Sequence, residues 1–246
     1  MLDGIMERLS SVKRSFTDVL DLGSFDASFD PPAGSRIARM DAGRAFARQG
    51  RGVQADEDRL PFADGSFDLV ISAGVLDQVN DVPGALSLAR RVLRPDGLFI
   101  GALLGAGSLA SLRTALRSAE SERPVARLHP QIDVRSAGDL LMRAGFALPV
   151  ADVETLRVRY GGLGKLLGDL RGMAATNLLV ERQPLPRDVL ARSVEAFADA
   201  ADPDGRTAER FEIIFLTGWA PSPDQPKPAR RGSATASLAT ELGRSG

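Results

Sequence analysis

Apolar positions in this chain follow two rhythms. Ile5, Leu9, Val12 and Phe16 recur at helical spacing, which predicts an amphipathic lead-in helix over 5–16. Short apolar runs closed by Gly, Asp or Pro come next and predict buried strands over 17–22, 35–40, 52–55 and 67–72. Asp81 or Pro83 opens a helix reaching Leu93, and Pro95-Asp96-Gly97 turns it into a fifth strand over 98–104. Helical patterns return over 108–122, 163–173 and 187–201. Ser136 is read as the N-cap of a further helix over 137–144, with Gly145 just past its end. One more strand is expected within 146–160 and a last one over 211–219, where Phe, Ile and Trp concentrate. Strands alternating with helices at this spacing predict βαβ units and a mainly parallel sheet.

Composition narrows the chemistry. The 246 residues are 43% hydrophobic, enough for one full α/β domain with additions. The expected division is a domain over 1–220, with its core at about 17–160 and additions over 161–220, then a tail over 221–246 rich in Pro, Ser and basic residues. Lys and Arg total 31 against 32 Asp and Glu, so charge makes no case for nucleic acid. Without cysteine there are no disulfides, thiolate metal sites or cysteine nucleophiles. No run approaches the roughly 18 apolar residues of a membrane span, and the first residues lack a secretory pattern, so the expected location is the cytoplasm. The single histidine, His129, reads as a loop residue, and its solitude rules out any site needing two histidines from this chain. No metal site is expected.

The stretch Arg59 to Ile100 holds the strongest signal. Leu60-Pro61-Phe62 precedes the strand Phe67-Asp68-Leu69-Val70-Ile71, then a helix carrying Arg90 and Arg91, then Pro95-Asp96-Gly97. This order resembles strands four and five of class I S-adenosylmethionine (SAM) methyltransferases, a Rossmann-like fold. That resemblance implies a SAM site at the carboxyl ends of the strands. Asp41, about 20 residues after Asp21, stands where a ribose carboxylate is expected, although a solvated loop acid or a helix cap fits the same position. Asp56 and Glu57 match the adenine edge or form an acidic surface turn. Asp21, Gly23 and Ser72 complete the expected cofactor set. The family's Asp-x-Gly-x-Gly-x-Gly turn reads here Asp21-Leu22-Gly23-Ser24-Phe25-Asp26-Ala27, with two glycines replaced and with Pro31-Pro32 close behind.

The motifs Val79-Asn80-Asp81-Val82-Pro83, Arg91-Val92-Leu93-Arg94-Pro95-Asp96-Gly97, Leu141-Met142-Arg143-Ala144-Gly145-Phe146, Asp169-Leu170-Arg171-Gly172-Met173, Thr176-Asn177 and Thr217-Gly218-Trp219 resemble one group within that superfamily. It is the methyltransferase-like assembly factors of respiratory complex I. The likeness extends into the tail at Arg231-Gly232-Ser233-Ala234-Thr235. It implies a protein partner, an iron–sulfur subunit of complex I, and either SAM-dependent methyl transfer or arginine hydroxylation. Asp77 and Gln78 depart from the family's usual His-Trp after strand four; Asp77 is a candidate base or a solvated loop acid. Three readings follow: a SAM-dependent methyltransferase, a non-catalytic assembly module that has lost SAM binding, and, ranked last, an arginine hydroxylase. The neighbourhood of Phe25 is expected to discriminate the first two.

Overall fold

The structure, a computed structural model, describes residues 1–120 and 125–225. Helix α1 (Leu2–Ser10) leads into β1 (Asp18–Leu22), β2 (Arg36–Asp41), α2 (Arg44–Gln49), β3 (Val53–Gln54) and β4 (Phe67–Ala73). Then come α3 (Val82–Val92), β5 (Leu93–Leu104), α4 (Ala110–Ala119), α5 (Val134–Arg143) and β6 (Ala147–Tyr160). Helices α6 (Leu163–Gly172) and α7 (Arg187–Asp199) precede β7 (Thr207–Trp219). The seven strands form one sheet in the order β3-β2-β1-β4-β5-β7-β6. All neighbours are parallel except that β7 runs antiparallel to both β5 and β6. The order reverses between β1 and β4, which opens a crevice at the carboxyl ends of the strands.

The strands read as continuous apolar runs because both sheet faces are covered. Along β5, Phe99 and Leu103 join Leu86, Val92, Leu141 and Phe146 beneath α3 and α5. Their neighbours Leu98, Ile100 and Ala102 pack with Ile5, Leu9, Leu69 and Phe215 under α1. A third apolar cluster joins Leu112, Leu166, Leu170, Phe197 and Phe211 where α4, α6 and α7 meet the end of the sheet.

Several local expectations are corrected. The lead-in helix stops at Ser10, whose hydroxyl donates back to the Glu7 carbonyl at 2.6 Å and competes with the helical ladder. Phe16 is still buried, from the extended chain that follows. Asp133, not Ser136, caps α5: its carboxylate accepts the Ser136 amide and hydroxyl, both at 2.9 Å. The Pro95-Asp96-Gly97 turn is absorbed into β5 as an irregularity, where the register against β4 jumps and Asp96 takes φ 61°. The last strand, expected over 211–219, forms as β7 and lies between β5 and β6. Ser121 and Glu122 of the helix expected over 108–122, and residues 226–246 of the tail, fall outside the described residues.

Candidate functional site

A cavity of about 1020 Å³ crosses the carboxyl end of the sheet. It reaches from Asp41 at the end of β2, past Asp77 after β4, to Leu156 and Val158 on β6. At ~4.8 Å per strand spacing, the five steps from β2 to β6 make a cleft roughly 24 Å long. One half carries Asp41, Glu57 and Asp77, and the other is mainly apolar, floored by Leu156, Val158, Phe211 and Ile213 with Asp169 and Tyr160 at its edge.

Three carboxylates line the acidic half. Asp41 is buried, and one oxygen accepts the Gly43 amide at 2.7 Å; burial holds its carboxyl above the ordinary value. Glu57 is also buried and raised by burial, and its Oε1 has no hydrogen-bond partner among the described residues. Asp77 sits in the single 3₁₀ turn Leu76–Gln78, its Oδ1 closed to solvent and without a partner among those residues. Burial pushes the Asp77 carboxyl up to about 6.

Gly23 borders the cleft at φ 77°, and a Cβ there would lie 2.5 Å from Val75 Cγ1. Glycine is therefore needed for backbone conformation and for clearance against the chain beyond β4. The rest of the altered loop folds on itself. The amides of Gly23 and Ser24 both donate to the Met40 carbonyl, at 2.9 and 3.0 Å, and that of Phe25 donates to the Gly23 carbonyl at 2.9 Å. Phe25 lines the cleft with its ring 4.6 Å from that of Phe46. Asp26 is exposed and accepts the Ser28 amide, so it adds no charge to the cleft wall. No helix forms between β1 and β2, where Pro31-Pro32 lack amide donors for a helical ladder.

The expected site residues thus divide. Gly23, Asp41, Glu57 and Asp77 meet on one cleft. Asp21, Asp56 and Ser72 do not line it. Asp21 is buried beneath the loop, its carboxyl pushed up to about 7 by burial against the opposing pull of Arg39, 3.7 Å away. Asp56 points to solvent while the adjacent Glu57 turns inward, and Ser72 is wholly enclosed inside the sheet. Sequence reasoning missed Phe46, Val75 and the whole apolar half. Phe46 comes from α2 and Val75 from the turn after β4. The apolar half is assembled from β6, β7, α6 and the chain after it, and no local pattern joins segments so far apart. Tyr160 is buried at the edge of this half.

A parallel sheet with this strand order, one antiparallel strand and a carboxylate at the end of β2 defines a class I methyltransferase fold. The methyltransferase domain family matches residues 19–101. A solved structure, the YcgJ protein of Bacillus subtilis, overlays with a TM-score of 0.61 at 16% identity, covering 90% of this chain and 98% of its own, which speaks for the fold alone. The malonyl-[acyl-carrier protein] O-methyltransferase of Methylovorus is 31% identical over 88% of this chain and 80% of its own. The mitochondrial arginine-hydroxylase NDUFAF5 of Danio rerio is 38% identical over 76% of this chain and 60% of its own. The chain belongs to the class I methyltransferase superfamily. It spans less than two thirds of the length of that Danio rerio relative. No described helix is long and apolar enough to cross a membrane.

Proposed function

We propose that the protein binds an adenosyl cofactor across Asp41 and Glu57 and methylates a protein client, an iron–sulfur subunit, during complex I assembly. The observation that carries this reading is the convergence of Asp41, Glu57 and Asp77 on one cleft, with Glu57 Oε1 and Asp77 Oδ1 buried and without a partner among the described residues. Buried acceptors of this kind call for donors from a ligand. The nucleoside half of the group fits these residues: Asp41 would take ribose hydroxyls and Glu57 an amine. The methionine half has less support, because the Gly23, Ser24 and Phe25 amides are already bonded within the chain. When bound, the cofactor would supply an electrophilic methyl group. The chain's own part is to align the acceptor and exclude water along the apolar half. Asp77, near 6, is ionised at neutral pH and in this reading would receive the acceptor's proton. A cytoplasmic location belongs to the same proposal; the NDUFAF5 relatives are mitochondrial by name.

A second reading has an observation of its own. Relatives in fish, human, mouse, rat and slime mould are named arginine-hydroxylases, which favours hydroxylation more than the sequence alone did. No cluster of three His, Cys, Asp or Glu suited to a metal occurs among the described residues, so that chemistry would draw ligands from elsewhere.

Calorimetric titration with SAM and with S-adenosylhomocysteine, using Asp41→Ala as control, tests the cofactor. Micromolar binding lost in the control is the expected result. No heat from folded protein leaves the non-catalytic assembly module, to be pursued by pull-down of complex I subunits. Mass spectrometry of the client then separates an added methyl group from an added oxygen.

A further inference from the structure

We infer that His129 is a positioning residue that, together with Arg127, latches the segment 173–186 as a lid over the apolar half of the cleft. This segment joins α6 to α7 without helix or strand. Its first part, including Met173, Thr176 and Leu178, forms a wall of the cavity.

The segment leaves α6 through Ala174 at φ 56°, a left-handed conformation costly for a residue with a Cβ and a natural hinge. Its backbone bonds are short-range, as in Thr176 to Ala174 and Arg182 to Leu179. Among the described residues, the side-chain hydrogen bonds tying it to the rest of the molecule come from two positions. Nε2 of His129 accepts the Leu178 amide at 2.9 Å and lies 3.1 Å from the Thr176 carbonyl. Arg127 Nη1 donates to the Gln183 carbonyl at 2.6 Å and approaches that of Pro184 at 3.3 Å. Arg127 is itself fixed by its nearly buried pairing with Glu120.

The Leu178 amide can only donate and the Thr176 carbonyl can only accept, so Nε2 serves one of them at a time. Unprotonated it takes the amide, protonated it gives to the carbonyl, and either bond holds the segment. Little else restrains the lid. Leu178 is 51% and Val180 98% exposed, so its apolar side chains gain little from packing. A segment with few buried contacts opens locally at low cost, and a single hydrogen bond then sets how often it does.

The functional meaning rests on the reading that the cleft binds a ligand, but the latch can be tested without one. The chain has no cysteine, so Ile213→Cys places a unique thiol on the cleft floor, where Ile213 is 6% exposed. Its labelling rate with a bulky maleimide would be measured in the full chain, then with His129→Leu, His129→Ala and His129→Gln added. The glutamine amide oxygen can replace Nε2 as acceptor. Slow labelling with His129, about five- to tenfold faster labelling with Leu or Ala at unchanged melting temperature, and return toward the slow rate with Gln are expected. Should one truncation fail to fold, the other serves. Fast labelling in the parent, equal rates with Leu or Ala, or no rescue by Gln overturns the latch. Absence of cofactor binding would overturn the cofactor reading and leave these rates unaffected.

Discussion

Asp77 shows how one buried carboxyl links chemistry to stability. Raised from 3.8 to about 6, it holds its proton in the folded protein over a range where the unfolded chain has released it. Between those values the native state binds more protons, so this residue's contribution to stability falls as pH rises, and it is flat above the window. Asp77→Asn removes the cost of a buried charge. It is expected to raise the melting temperature by about 2–4 °C at pH 8. The gain should shrink as pH falls toward about 4, where the native carboxyl is neutral as well. Equal gains at both ends, read by calorimetry, would show that the carboxylate is not strained by burial. Asp77 was visible in the sequence only as a departure from its family's pattern. Whether it faced solvent or the cleft depended on the turn after β4, which neighbouring residues do not specify.

At the scale of elements, caps from distant strands decide where helices begin. Glu209 on β7 is 1% exposed and accepts the amides of Ser111 and Leu112 at 3.1 and 2.8 Å, closing the first turn of α4. Glu209→Ala would leave those donors unpaired inside the protein and is expected to cost about 2–3 kcal/mol in denaturant unfolding. A loss below about 0.5 kcal/mol would mean that water replaces the carboxylate. Local caps were partly legible: Asp81 does begin α3, accepting the Gly84 amide at 2.9 Å. The start of α5 was misplaced because Asp133 and Ser136 both have capping chemistry and only the fold chooses between them. A cap nearly 100 residues away, like Glu209, leaves no local signal.

For the whole molecule, the decisive placement is that of β7. It pairs with β5 from Leu98 to Leu104 and with β6 from Ala147 to Tyr160, so removing it would strip both of a hydrogen-bonded neighbour. A chain ending at Arg206 is expected to lose cooperative thermal unfolding by circular dichroism, since Phe211, Ile213 and Phe215 also join the core. A sharp transition in that fragment would mean that β1 to β6 stand alone. Apolar periodicity and turn residues were enough to predict the βαβ rhythm and the parallel character of the sheet, while contiguous motifs carried the resemblance to the methyltransferase superfamily and spacing pointed to the carboxylate ending β2. Each of these depends on contacts between near neighbours in the chain or on motifs written contiguously. The pairing of β7 between β5 and β6, the inward turn of Glu57 beside the outward Asp56, the folding of the altered glycine loop onto Met40, and the latch from His129 to Leu178 required the assembled molecule. In each case the choice lies between local conformations of similar energy, and burial against residues far along the chain breaks the tie.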